Sequence, residues 1–336
     1  MTTTGDHNLY GLDYQNRTHL QNRNNVLIDV HTHVHLSNGN HEAKFHQAEQ
    51  VVSVAQEFGV RSIWSMSPAR DIPRLRERFG DLFVFNGYID KSSVEPDSGV
   101  FRRLEEYLEA GVKIVKLWAG PRAGRTNFQL DAPWRVQVVQ RAVAAGIRVF
   151  MAHIADPDLR FHYFYDDRNL FGNKADHYAA LERMLCLFPD VIWIVAHMGG
   201  SPEDPDRLES LLERHPNLHF DTSATKWQVR EVSSRRERYR ALISRWSERF
   251  LFGTDVVTRA GTQREVYASR YWCQRSLWES DSQGPSPIAD EDWQLENSTK
   301  SPQLCGLGLP ESVLVNLNSG NANRILPVPD LKTLRG

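Results

Sequence analysis

The sequence has few cysteines, no long apolar run and no excess of either charge sign. Its three cysteines, Cys186, Cys273 and Cys305, are scattered without a CxxC pair, which favours a reducing compartment over a disulfide framework. No run of about 18 apolar residues is present, so no transmembrane helix is predicted. Residues 1–25 also lack the apolar core that a signal peptide needs, and we therefore expect a cytoplasmic protein.

The balance of charge bears on which partners the protein is expected to bind. The 40 basic and 42 acidic residues give a formal net charge of −2, which offers no general reason to expect nucleic acid or an acidic membrane surface as a partner. A composition of 40% hydrophobic and 24% charged residues is typical of a globular protein with a large core. A homodimer would be the commonest assembly for such a protein.

Runs rich in β-branched and aromatic residues alternate with stretches of helical periodicity. The predicted strands are 26–31, 60–65, 82–88, 112–118, 147–153, 191–197, 217–222 and 250–255. The predicted helices are 41–58, 71–79, 98–110, 132–145, 175–187, 205–214 and 234–248. Eight alternating strands predict an α/β fold, a (β/α)₈ TIM barrel. An open doubly wound sheet is the rival, but no GxGxxG motif follows the first strand.

We expect one barrel domain over residues 26–336, preceded by a polar N-terminal arm over residues 1–25 that lies on the surface. Two segments are longer than simple connections require. Residues 154–174 are rich in aromatic side chains and are a candidate lid. Residues 276–304 are acidic and rich in Pro and Ser, and we interpret them as a solvated insertion in or after the eighth helix. Surface decoration is an equally good interpretation of both segments.

Metal-capable side chains recur at the carboxyl ends of four predicted strands. In the first strand, Asp29, His31 and His33 alternate with the apolar Ile28 and Val30. The fifth, sixth and eighth strands end, in the same alternation, on His153, His197 and Asp255. In the sixth strand this alternation puts Trp193 and Val195 on the inward face with His197. Because barrel active sites are built at the carboxyl ends of the strands, we expect these side chains to lie at one mouth.

Each of these residues is a weak signal alone, since a strand histidine is more often a hydrogen-bonded core residue than a ligand. Together, three histidines and an aspartate form a donor set that suits zinc, iron(II) or manganese. A divalent ion in such a site lowers the pKa of a bound water toward ~7. His197 is placed to accept a proton or to polarise a substrate, because an imidazole titrates near neutral pH.

The chain resembles the amidohydrolase superfamily through four motifs in order. They are HTH at 31–33, MAH at 151–153, AHMGG at 196–200 and FGTD at 252–255. The similarity runs over residues 26–326 and is greatest to the branch that contains aminocarboxymuconate-semialdehyde decarboxylase. The resemblance implies one divalent ion, zinc before iron(II) or manganese(II), with His197 as the catalytic histidine. It also implies the metal ligands His31, His33, His153 and Asp255.

Two departures from the pattern leave the substrate open. Many relatives carry a histidine where the fourth strand of this chain has Trp118. The first strand has HxH and lacks the glutamate found in some aromatic-acid decarboxylases. The first hypothesis is therefore a metal-dependent hydrolase of an ester, lactone or amide of a small organic acid. The alternatives are a non-oxidative decarboxylase of an unsaturated or aromatic acid and a barrel that binds a ligand without catalysis.

Two basic residues are candidates for binding an anionic small-molecule substrate. Lys116 alternates with the apolar Val115 and Leu117 and is therefore expected to point inward near the mouth. A buried ammonium group needs a partner, which we expect to be Asp255 or a substrate carboxylate. A carbamate on Lys116 that bridges two metal ions is the alternative. Arg122, in the loop after the fourth strand, is the second candidate.

Overall fold

The computed structural model describes residues 4–20, 26–36, 41–89, 98–121 and 128–327. Its strands are β1 (Leu27–His33), β2 (Val60–Ser65), β3 (Phe83–Ile89), β4 (Ile114–Trp118), β5 (Val149–His153), β6 (Ile192–Val195), β7 (Leu218–Asp221), β8 (Phe250–Leu251), β9 (Val256–Val257), β10 (Gln283–Pro285) and β11 (Gln303–Cys305).

Helices follow most of these strands, as the periodicity predicts. They are α1 (His41–Glu57), α2 (Ile72–Phe79), α3 (Ser98–Glu109), α4 (Pro133–Ala144), α5 (Asp158–Tyr163), α6 (Arg168–Phe171), α7 (Lys174–Leu187), α8 (Pro205–Arg214), α9 (Thr225–Ser234), α10 (Arg236–Arg245), α11 (Arg264–Glu279), α12 (Glu311–Val315) and α13 (Asn321–Ile325). None of the helices in the described ranges combines the length and the hydropathy that crossing a bilayer requires.

The strand order confirms the predicted α/β barrel class. Nine strands form one sheet in the order β8-β7-β6-β5-β4-β3-β2-β1-β9, and β10 pairs with β11 in a separate hairpin. The pairs from β3 to β7 and the pair β1–β9 are parallel. Parallel strands placed beside their sequence neighbours, with helices between them, are the pattern of a (β/α)₈ fold.

The chain comprises two compact units. The terminal unit contains Met1–Ile63 and Thr222–Gly336, and the central unit contains Trp64–Asp221. Each has its own apolar core: Ile28, Val54 and Tyr271 are fully buried in the terminal unit, for example. Phe150 and Trp193 are fully buried in the central unit, where their rings lie 5.3 Å apart.

Local sequence signals account for the starts of two helices of the central unit, α7 and α8. The side chain of Asp204 accepts a hydrogen bond from the backbone nitrogen of Arg207 at 3.0 Å, and Pro205 opens α8. A cap of this type satisfies one of the unpaired N–H groups at a helix start, and proline is suited to the first helical position. Asn173 and Asp176 form a reciprocal capping box at the start of α7.

The face that β6 presents differs from the sequence prediction. In the parallel register, Met151 pairs with Ile194 and Phe150 pairs with Trp193. Paired residues of adjacent strands point to the same face of the sheet, so Ile194, and not Trp193 or Val195, shares the face of Met151. The prediction was wrong because "VIWIVA" is apolar at every position, which is typical of a strand buried on both faces and gives no alternation to read.

Several predicted elements have different bounds. The strand predicted over 250–255 is split into β8 and β9, and the strand predicted over 191–197 ends at Val195. The helix predicted over 234–248 is present as α10 with shorter bounds, and α9, which ends at Ser234, was not predicted. Arg235, between these two helices, has a non-helical ψ of 37° that interrupts the regular backbone.

The two long segments and the arm are more structured than the sequence predicts. Residues 154–174 contain α5 and α6. Residues 276–279 belong to α11, and residues 286–290 are buried, so 276–304 is not a wholly solvated insertion. His7, Tyr14 and Leu20 of the arm are buried too. The backbone nitrogen of Leu9 donates to the carbonyl of Pro287 at 2.9 Å, which joins the arm to this segment.

Candidate metal centre

The terminal unit brings three of the predicted ligands together. The Nε2 atoms of His31 and His33 each lie 3.5 Å from Oδ1 of Asp255. Alternation along β1 places the two imidazoles on one face, and their ring centroids are 5.7 Å apart. The backbone nitrogen of Asp255 donates to the carbonyl of His31 at 2.8 Å. This bond holds the carboxylate at the end of the strand that carries both histidines.

The donor set and its spacing fit a divalent ion. Two imidazole nitrogens and a carboxylate oxygen lie within 4.8 Å of one another. A tetrahedral ion with bonds of about 2.0–2.1 Å separates its ligand atoms by about 3.4 Å, close to the two spacings of 3.5 Å in this cluster. The side chain of His31 is fully buried, whereas that of Asp255 is 32% exposed. The cluster is therefore open on the side of the carboxylate.

A hydroxyl group contacts the second ring nitrogen of His31. Nδ1 of His31 lies 2.9 Å from Oγ of Ser223. With Nδ1–H donated to this hydroxyl, Nε2 keeps its lone pair on the side of Asp255, which is the arrangement that a metal ligand needs. Gly253 makes room for the contact, because a Cβ at that position would lie 3.1 Å from Cβ of His31 and 3.2 Å from Cβ of Ser223.

A buried carboxylate, Asp29, is hydrogen-bonded to residues beside the same cluster. Asp29 is fully buried and accepts hydrogen bonds from the hydroxyl of Thr254 at 2.6 Å and from the hydroxyl of Tyr271 at 2.8 Å. It also accepts from the backbone nitrogens of Thr254 and His31, each at 3.1 Å. Burial raises the pKa of Asp29 to about 7, although these hydrogen bonds act in the opposite direction. Through these hydrogen bonds Asp29, on β1, holds Thr254, the residue before Asp255.

A left-handed turn, and not the strand predicted there, carries His197. The φ angles of His197, Met198 and Gly199 are 58°, 51° and 69°, a conformation that is uncommon for residues with a side chain. The turn is held by two hydrogen bonds. The backbone nitrogen of His197 donates to Oδ1 of Asp221 at 2.9 Å, and the hydroxyl of Tyr178 donates to the carbonyl of Gly199 at 2.8 Å.

This turn brings His197 beside His153 in the central unit. The two rings meet edge to face with centroids 4.8 Å apart. The ring of Trp118, on the adjacent strand β4, lies 5.3 Å from that of His153, and the two residues are paired in the register. The central unit therefore places two of the predicted site histidines and an aromatic surface together.

His153 also has a carboxylate partner that the sequence prediction missed. Its Nε2 lies 2.8 Å from Oδ1 of Asp156, and the hydroxyl of Tyr165 donates to Oδ2 of Asp156 at 2.7 Å. Burial acts to raise the pKa of Asp156, but the hydrogen bonds with His153 and Tyr165 outweigh it and the pKa is lowered. Asp156 is therefore an ionised acceptor of both bonds.

The two predicted substrate-binding residues have different outcomes. Lys116 is buried in β4, and its ammonium group lies 6.0 Å from the centroid of the Tyr88 ring, within reach of a cation–π contact. Its register partner is Met151, so Lys116 shares the sheet face of His153. Arg122 lies outside the described residues.

The supporting residues carried sequence signals of unequal strength. Asp156 follows His153 by three residues in "HIADP", and Asp221 ends β7 in "NLHFDT". A polar residue at a barrel strand's carboxyl end is a detectable signal. Ser223 and Tyr271 had no such signal, since hydroxyl groups are common in turns and helices.

Comparisons with known proteins agree with this geometry. A family model described as amidohydrolase matches residues 91–328. Comparison with curated protein sequences finds no match. Among solved structures, the chain is similar to a TIM-barrel protein of Bordetella bronchiseptica, with 14% identity over 90% of this chain and 98% of that chain and a TM-score of 0.53.

Two further structures have the same fold. A 2,6-dihydroxybenzoate decarboxylase from Rhizobium is 13% identical over 89% of this chain and 98% of its own, with a TM-score of 0.53. An amidohydrolase from Burkholderia multivorans is 10% identical over 91% and 100%, with a TM-score of 0.52. The family typically binds a divalent metal, in keeping with the donor set described above. The family model matches more than half of this chain, and the chain therefore belongs to the amidohydrolase family.

Proposed function

We propose that this protein is a metal-dependent hydrolase that cleaves an ester, lactone or amide of a small organic acid. The observation that carries the proposal is the convergence of two imidazole nitrogens, from His31 and His33, on one carboxylate oxygen of Asp255 at 3.5 Å. A simple ion pair needs one histidine, whereas a metal ion needs several donors at this separation.

The proposed ligands are His31, His33, His153 and Asp255. We propose zinc as the ion, because this donor set suits it. It would supply an activated water and act as a Lewis acid toward the carbonyl group. Asp255 orients the water through one carboxylate oxygen and carries a proton toward the leaving group. His197 donates a hydrogen bond to the carbonyl oxygen, a role that suits a group whose ordinary pKa is near neutral.

The proposed substrate is anionic. Lys116 is a buried basic residue on the sheet face that also carries His153, and an ammonium group binds a carboxylate through a charge-assisted hydrogen bond. We assign it to a substrate carboxylate and not to a carbamate bridge between two ions. Arg122 is the second proposed contact with that carboxylate, because guanidinium groups bind carboxylates through two parallel hydrogen bonds.

A second candidate function is the non-oxidative decarboxylation of an unsaturated or aromatic acid. The ring of Trp118, 5.3 Å from that of His153, offers a flat surface on which a planar acid would stack. In this reaction His197 would deliver a proton to the substrate carbon that loses carbon dioxide. The same ligands would serve both reactions, so the products must separate them.

Metal content followed by product analysis tests both functions. The purified chain is analysed for zinc, iron and manganese, then assayed against lactones, esters and unsaturated or aromatic acids while proton release and carbon dioxide release are recorded. Proton release from a lactone or ester supports the hydrolase. Carbon dioxide release supports the decarboxylase. A chain with no bound transition metal, and no gain in thermal stability when one is added, contradicts both and leaves a ligand-binding barrel.

Lys116→Met tests the substrate class on whichever activity is found. Removing the ammonium group is expected to raise KM for anionic substrates by about tenfold, since one charge-assisted hydrogen bond contributes about 1.5–3 kcal/mol, while metal content is unchanged. A matched uncharged substrate should show no change in KM. Two tightly bound ions per chain, with a mass increment of a carbamate on the lysine, would contradict the assignment of Lys116.

A further inference from the structure

The segment that follows β5 is connected to a predicted metal ligand by a chain of hydrogen bonds. Oδ1 of Asp156 lies 2.8 Å from Nε2 of His153, and Oδ2 accepts the hydroxyl of Tyr165 at 2.7 Å. In a hydrogen bond between a ring nitrogen and a carboxylate oxygen, the oxygen accepts. Nε2 of His153 is therefore the protonated ring nitrogen, and the hydroxyl of Tyr165 donates to the other oxygen.

The Nε2 edge of the His153 ring is filled by protein atoms. Besides Asp156, Gly120 packs against it: a Cβ at Gly120 would lie 3.0 Å from Cδ2 and 3.1 Å from Nε2 of His153. Such distances leave no space for an ion on that edge. Nδ1, by contrast, has no hydrogen-bond partner within the ranges that the structure describes.

We propose that Asp156 and Tyr165 are positioning residues that present Nδ1 of His153, and not Nε2, to the metal ion. The inference rests on the proposed function, because it takes His153 to be a ligand. Histidines that bind metals commonly donate their second ring N–H to a carboxylate, which fixes the tautomer and the ring plane and raises the basicity of the ligand nitrogen. Asp156 supplies this carboxylate, and Tyr165 fixes the orientation of the carboxylate.

Tyr165 is itself held by aromatic packing in the segment between β5 and α7. Its ring lies 5.4 Å from that of Phe161 in an edge-to-face contact and 5.0 Å from that of Phe171. The side chain of His177, on α7, lies 2.9 Å from the carbonyl of Phe171. The packing of this segment therefore fixes the position of Tyr165, which in turn holds Asp156 beside the ring of His153.

Histidine-labelled NMR with cadmium as the probe tests the assignment in the full-length wild-type chain. The protein is labelled with ¹⁵N in histidine only and loaded with ¹¹³Cd, and the His153 signals are identified by their loss in His153→Gln. We expect ¹¹³Cd–¹⁵N coupling at Nδ1 of His153 and a proton on Nε2. Coupling at Nε2 would overturn the inference while leaving His153 a ligand. Coupling at neither nitrogen would overturn the inference and also remove His153 from the proposed ligand set.

Metal affinity provides an independent test with matched controls. Asp156→Asn is expected to weaken zinc binding by about 10–100-fold, the usual cost of losing a carboxylate behind a histidine ligand, and Tyr165→Phe by a smaller factor. Asp166→Asn and Tyr163→Phe change exposed residues of the same segment and should leave the dissociation constant unchanged. Zinc affinities of Asp156→Asn and Tyr165→Phe equal to those of their controls would overturn the proposal.

Discussion

The terminal and central units hold their site residues by different means. In the terminal unit, His31 and His33 reach Asp255 because they are two residues apart on one strand, so the pleat of β1 aims both rings. In the central unit, His153 ends a strand but His197 sits on a left-handed turn, which Asp221 holds from outside the turn. The positions of His31 and His33 follow from side-chain alternation, whereas those of Asp255, with a φ of 59°, and His197 depend on left-handed backbone conformation.

The largest effect is expected when one of the two proposed metal ligands on β1 is replaced. His33→Ala is expected to lose most of the bound metal and to lower turnover by about 10³-fold or more, since metal catalysis contributes several kcal/mol. Metal analysis and steady-state kinetics measure both quantities. His35→Ala is the matched control, because His35 stacks on His33 with centroids 6.3 Å apart but lies beyond β1. Full metal occupancy and turnover in His33→Ala would contradict the assignment.

The turn histidine should behave differently. His197→Asn is expected to keep its metal content while kcat falls by about 10²-fold, the lower end of the range for general acid–base groups. An asparagine tolerates left-handed backbone better than most residues, so this variant changes the imidazole and preserves the turn. His162→Asn, an exposed histidine of the same unit, serves as the control. Loss of the metal from a folded His197→Asn protein would make His197 a ligand.

This difference explains how much the sequence could predict. The fold class and the shared face of His31 and His33 follow from periodicity, because polar and apolar residues alternate visibly along β1, whereas Asp255 lies between β8 and β9 with a φ of 59°. The face of β6 could not be predicted, since "VIWIVA" gives no alternation. The position of His197 could not be predicted either, because the sequence "AHMGG" shows that a turn follows but not that four successive residues, 197–200, adopt positive φ.

The backbone of the turn is tested by adding one methyl group. At Gly200, where φ is 68°, a Cβ would lie 1.8 Å from the carbonyl oxygen of Ala155. Gly200→Ala is therefore expected to lower the free energy of unfolding by about 3 kcal/mol through steric overlap and left-handed strain. Gly146→Ala also has positive φ, 95°, but no atom lies within 4 Å of its Cβ, so it should cost about 1–2 kcal/mol.

Thermal and denaturant unfolding measure the difference between these two variants. If Gly200→Ala is as stable as Gly146→Ala, the close approach of the turn to the backbone of Ala155 is not part of the folded protein. A destabilised variant that also binds zinc less tightly would extend the result to Asp156, whose backbone nitrogen is the third atom near the added methyl group, at 2.8 Å.

A smaller effect concerns a histidine of the terminal unit that lies outside the cluster. Burial first, and then the positive charges of Arg270 and Lys226, lower the pKa of His7 to about 4, while Asp6 and Glu291 act weakly in the opposite direction. An unfolded chain has a pKa near 6.5 at this position. Between these values the unfolded state binds a proton that the folded state does not, so the stability that His7 contributes is complete above about pH 6.5 and is lost as the pH falls toward 4.

His7→Gln cannot titrate and should abolish this part of the acid sensitivity. Each unit of pKa difference corresponds to about 1.4 kcal/mol, so the wild-type chain should lose about 2 kcal/mol relative to His7→Gln between pH 7 and pH 5. Unfolding at both pH values measures the difference, with His46→Gln, an exposed histidine of the same unit, as the control. Equal pH dependence of the wild type and His7→Gln would show that His7 is not buried in the folded state, and that the arm is not packed against the rest of the terminal unit. Acid sensitivity that His7→Gln removes and His46→Gln retains would mean that the arm is packed as part of the terminal unit.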